Sequence, residues 1–68
     1  MTDDERAEAV AETREKIRSL RESVEAAHVV KAQVPGAAAE ADRLVAIFEH
    51  HAAAQEAKLG ALLGRAEQ

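Results

Sequence analysis

KAQVPGAAAEAD, running from Lys31 to Asp42, sits at the middle of a 68-residue chain and holds its only proline, followed at once by a glycine. Helix formers fill the sequence on both sides, so this is where a helix has to stop. Proline lacks the backbone donor, its ring clashes with the preceding turn, and it pushes the residue before it, Val34, away from the helical region. Gly36 offers the positive φ that many tight turns demand. A single break at the centre of a helical chain predicts an all-α fold. The expected architecture is one domain, residues 1–68, shaped as a two-helix antiparallel hairpin. Helix one is expected over about 3–33, the Pro-Gly turn over about 34–36 and helix two over about 37–66. A linker this short forces neighbouring antiparallel helices, each about 45 Å long for about 30 residues.

Upstream, the first helix has a marked start. Thr2 followed three residues later by Glu5 fits a capping box, and Asp3 and Asp4 are placed well against the helix dipole. Val10, Ile17 and Val24 recur every seven residues, and Thr13, Leu20, Ala27 and Val34 form the companion row. That is an a/d pattern with β-branched residues at a. Downstream, the stripe is Ala41, Val45, Phe48, Ala52, Gln55, Leu59, Leu62 and Ala66, widened by Leu44 and Leu63, with Arg65 near the helix end. Folding the chain about Pro35 sets Val24 near Val45 and Phe48, Ile17 near Ala52, and Val10 near Leu59.

The apolar fraction of 47% overstates what these stripes can bury, because 17 of the 32 apolar residues are alanine. Fifteen larger side chains, Phe48 the only aromatic among them, make a thin core for a chain of this length, in the size range where a single core is marginal. Self-association into a helical bundle, most simply a four-helix dimer, or docking on another helical protein is the expected remedy.

Other features narrow the function. Without cysteine there is no disulfide framework and no thiolate metal site, which fits a cytoplasmic setting. The acidic start MTDDERAEAV has the wrong charge for a secretory leader, and no apolar run approaches the roughly 20 residues that span a bilayer. A net charge of −4 opposes a general affinity for nucleic acid or anionic membrane.

Candidate chemistry is sparse. Glu25 and His28 make a Glu-x-x-His step, and Glu49, His50 and His51 follow on the second helix; a facing carboxylate added to such a step is how bundles build metal sites. Asp42 is expected near His28. In the heptad, however, Glu25 and Glu49 point outward, so solvated histidines are the preferred reading, with His51 the one expected to be half-buried. Glu25, His28, Glu49 and His51 thus stand as the metal candidates, and no cofactor is implied. Arg14, Lys16, Arg18 and Arg21 could track phosphates in the manner of RNA-binding hairpin dimers. Interleaved Glu12, Glu15 and Glu22 instead predict Glu12–Lys16 and Arg18–Glu22 pairs, and no aromatic is placed to stack a base. Ser19, Ser23, Thr2 and Thr13 have no pocket-forming loops around them, so an enzyme is not expected. Gly60-Ala-Leu-Leu-Gly64 has the spacing of close helix contacts, although two glycines here fit a fraying end better.

The strongest signal lies off the stripe. Val29 and Ile47 face away from the seam, while Val30 and Leu44 widen it. With Phe48, these five residues are the expected interface, because a helix apolar on more than one side is buried on more than one side. Between Phe48 and Leu59 the second helix offers only alanines and polar residues, a waist that admits another chain's side chains. The expected function is non-enzymatic assembly, as a small adaptor or a structural subunit of a larger complex such as a phage particle. The alternatives are a metal-binding bundle and a nucleic-acid regulator.

Overall fold

A computed structural model of the chain describes residues 1–67, with side-chain burial described as far as Gly64; Arg65 and Ala66, assigned above to the end of the second helix and its stripe, have side chains outside the described set. Two helices, α1 (Asp3–Gln33) and α2 (Ala38–Glu67), are joined by a single 3-10 turn, Pro35–Ala37, and pack side by side as an antiparallel hairpin. The molecule is a rod of 49 × 14 × 14 Å.

The start of α1 follows its sequence signal. Thr2 holds the N-cap in extended conformation, and its hydroxyl accepts from the Glu5 backbone N–H at 3.1 Å while donating to the Glu5 carboxylate at 3.1 Å. Asp3, Asp4 and Glu5 fill the first turn, against the positive end of the helix dipole.

The turn departs from expectation in an instructive way. Val34 leaves the helix at φ −126°, ψ 86°, the extended region into which a following proline pushes its neighbour. Its N–H still donates to the Val30 carbonyl at 2.8 Å, and its own carbonyl accepts from Ala37 N–H at 2.9 Å. Pro35 then opens the 3-10 turn, and its carbonyl accepts from Ala38 N–H. Gly36 does not take a positive φ; no residue does among those described. A Cβ built on Gly36 meets nothing within 4 Å. Proline alone therefore makes the break, because fixing φ near −65° suits a 3-10 turn without any left-handed residue.

The seam follows the two stripes. On α1, Thr13, Ile17 and Ala27 are buried and Val10, Leu20 and Val24 half-buried; on α2, Ala41 and Leu62 are buried and Val45, Phe48, Ala52, Gln55 and Leu59 half-buried. Val34 is the exception at 51% exposed, because the helix that would have turned it inward ends one residue earlier. The register also differs from the simplest folding about Pro35. Val10 shares a shallow groove with Leu63, and Leu20 lies with His51 and Gln55. The residues facing α1 are thus about one turn further along α2 than a Val10–Leu59 pairing implies.

Two polar residues sit in this seam. Thr13, 1% exposed, returns its hydroxyl to the Ala9 carbonyl at 2.7 Å, so its burial leaves no donor unpaired. Gln55 is less well served, since its Oε1 is buried without a hydrogen-bond partner.

Candidate interaction surface

A hairpin of two helices has two broad faces, and here they differ in chemistry. One face is charged and tied across the seam. Arg21 donates to Glu56 at 2.5 Å and Lys31 to Asp42 at 2.7 Å, the two pairs bridging α1 and α2. Arg21, Glu25, Glu49 and Glu56 line a shallow groove on this side, floored by Val24 and Ala52. It coincides with the expected waist, but acidic and basic side chains occupy its rim.

The opposite face is built from two rows that flank the seam. On α2, Glu40, Leu44, Ile47 and His51 fall at i, i+4, i+7 and i+11, one continuous line along the helix. On α1, Lys16, Ser19, Ser23, Ala26 and Val30 form the matching line. The α1 line is apolar beside the turn and polar toward the open end, whereas the α2 line holds its two large apolar residues between Glu40 at the turn end and His51. Between them lies a groove of about 320 Å³ with Ala27 and Ala41 at its base and Val30, Leu44 and Phe48 as its walls; Glu40 is the one charged residue lining it.

The large apolar residues here are out in solvent. Val30 is 44% exposed, Leu44 46% and Ile47 51%, and Phe48 is half-buried at the groove edge. Of the five expected interface residues, Val30, Leu44 and Phe48 line this groove, and Ile47 follows Leu44 along the α2 row. Val29, 51% exposed, stands apart, because two residues beyond buried Ala27 is about 200° around the helix. Sequence reasoning found Leu44 and Ile47 as residues off the main stripe but did not join them to Glu40 and His51. The i, i+4, i+7 spacing was the available signal.

The metal candidates are not gathered. Glu25 and Glu49 border the charged groove while His28 and His51 do not, and all four side chains are exposed. His51 is exposed rather than half-buried, since it belongs to the flanking row and not to the stripe. Its ring stacks edge-on with His50, centroids 5.9 Å apart. The Asp42 carboxylate, expected beside His28, is engaged by Lys31. Among the described residues no three His, Asp or Glu side chains are placed to share a metal ion.

Of the basic run, Arg18 and Arg21 are engaged by carboxylates, and among the described residues Arg14 and Lys16 form no ion pair. Arg18 pairs with Glu15 at 2.5 Å rather than with Glu22, and among the described residues no Glu12–Lys16 pair forms. The hydrogen bond that Arg18 donates to Glu15, then the charge of Glu15 and that of Glu22, raise the Arg18 pKa above the ordinary arginine value. Gly60 and Gly64 make no close helix contact, because a Cβ on either would meet nothing within 4 Å; α2 runs through both to Glu67. No helix among the described residues is long and apolar enough to cross a membrane.

No protein-family model, no curated protein and no solved structure matches this chain. The functional reading therefore rests on the two faces.

Proposed function

We propose that this chain is a non-enzymatic assembly module that associates with itself through the apolar face beside its turn. The observation that carries the reading is the group Val30, Leu44, Ile47 and Phe48, three of them about half exposed in a protein with few large apolar side chains. Each helix has a first stripe for its hairpin partner and a second, adjacent row for something else. Helices in a four-helix bundle need that pattern, since each packs on two neighbours.

Area supports the same reading. The chain exposes 5036 Å², whereas a compact protein of 7.3 kDa exposes roughly 4,200 Å². The excess of roughly 800 Å² is about what one partner contributes to a standard interface. Covering the apolar face with a second copy closes part of that gap.

The test is the molar mass in solution by light scattering across the micromolar range. The parent chain gives a mass above the monomer, and Ile47→Glu returns toward the monomer while circular dichroism stays helical. A parent that is monomeric throughout contradicts the reading.

A further inference from the structure

The row on α2 has an order of its own. It starts with a carboxylate, Glu40, passes through Leu44 and Ile47, and ends with the imidazole of His51, about 16 Å further along the helix. The midpoint between Glu40 and His51 falls between Leu44 and Ile47. On α1 the same stretch presents Val30, then Ala26, then Ser23, a bulky residue followed by small ones. Both rows are thus complementary to their own reversal.

We infer that the occupant of the apolar face is a second copy of the chain turned end for end, about a two-fold axis that crosses the face between Leu44 and Ile47. It rests on the self-association reading above and specifies its geometry. In this arrangement α2 packs on α2 and α1 on α1. Leu44 meets Ile47 of the second copy, and Glu40 meets the His51 ring, whose N–H donates to the carboxylate. Val30 lies over Ser23, and Ala26 falls near the axis, where the two α1 helices approach closely. Two-fold symmetry makes every contact twice.

The other way of laying the two faces together keeps both turns at one end and sets α1 over α2 along the full rod. That arrangement takes Glu12, Lys16 and Lys58 into the interface, although all three are exposed and hydrated in the hairpin. Turning the second copy over confines the contact to the turn halves and leaves those charges in water, which avoids the cost of desolvating them.

The chain has no cysteine, so introduced ones report cleanly. Glu40→Cys and His51→Cys variants, separately and mixed, are treated with a short bis-maleimide, with molar mass measured alongside. The mixture gives a cross-linked dimer; either variant alone gives little, because identical positions lie about 16 Å apart along the axis. A dimeric mass with no gain in the mixture overturns this geometry and leaves self-association standing. A monomeric parent overturns both. Charge exchange provides the second reading: His51→Glu raises the dimer dissociation constant several-fold by facing Glu40 with a like charge, and adding Glu40→Lys restores it. Absence of rescue overturns the pairing.

Discussion

The open end and the turn end of the hairpin spend similar large side chains in different ways. Toward the open end, Val10, Leu59, Leu62 and Leu63 all lie in or beside the seam, buried or half-buried. Toward the turn, Val29, Val30, Val34, Leu44 and Ile47 are each between 44% and 51% exposed, although Ala27 and Ala41 close the seam beneath them. The open end shows how little this fold needs to hold two helices together. What the turn end carries beyond that is surplus to the hairpin, and surplus apolar area in water is what marks a contact surface.

The comparison breaks most visibly at Ile17, a seam residue 8% exposed. Ile17→Ala should cost about 2–5 kcal/mol of stability in urea unfolding, as truncation of a buried aliphatic does. Ile47→Ala, measured where the chain is dilute, should cost about 0.5 kcal/mol or less, as at an ordinary surface site. Similar losses at both positions would mean that Ile47 serves the hairpin after all.

Gln55 sharpens the picture of the seam itself. Replacing it with leucine removes a buried carbonyl oxygen that has no partner, and should raise stability by about 1–3 kcal/mol. An unchanged unfolding midpoint would mean that the amide finds its hydrogen bond in solution. At the turn, Gly36→Ala should stabilise by about 0.4–1 kcal/mol, because the native backbone there suits alanine and the unfolded chain loses freedom. A destabilised Gly36→Ala protein would place that residue at positive φ. The smallest effect belongs to the charged face. Asp42→Asn removes the exposed pair with Lys31 and should cost about 0.2–1 kcal/mol, with the difference shrinking in high salt.

Much of this fold was legible because the heptad spacing of Val10, Ile17 and Val24, and of Ala41, Phe48 and Gln55, survives directly as the seam. The misreadings have local causes. Gly36 suggested a left-handed turn, yet proline permits a 3-10 turn that needs none. Val34 continued the stripe in sequence but lies just past the helix end, where the stripe no longer has a direction. The pairing register depended on the geometry of the turn, which composition does not specify. At the surface, Leu44 and Ile47 stood out as large apolar residues off the main stripe. Their row with Glu40 and His51 was hidden because its two ends are polar, and polar residues do not draw attention in a search for apolar stripes.

The central claim is that the turn end is built for a second chain, and the concentration dependence of thermal unfolding tests it most directly. A partner that binds only the folded chain raises the midpoint as concentration rises. Followed by circular dichroism over a hundred-fold range of protein concentration, the parent's midpoint should climb, while that of Ile47→Glu should stay flat in a chain that remains helical. A parent midpoint independent of concentration, or an Ile47→Glu midpoint that climbs in parallel with it, would contradict the account.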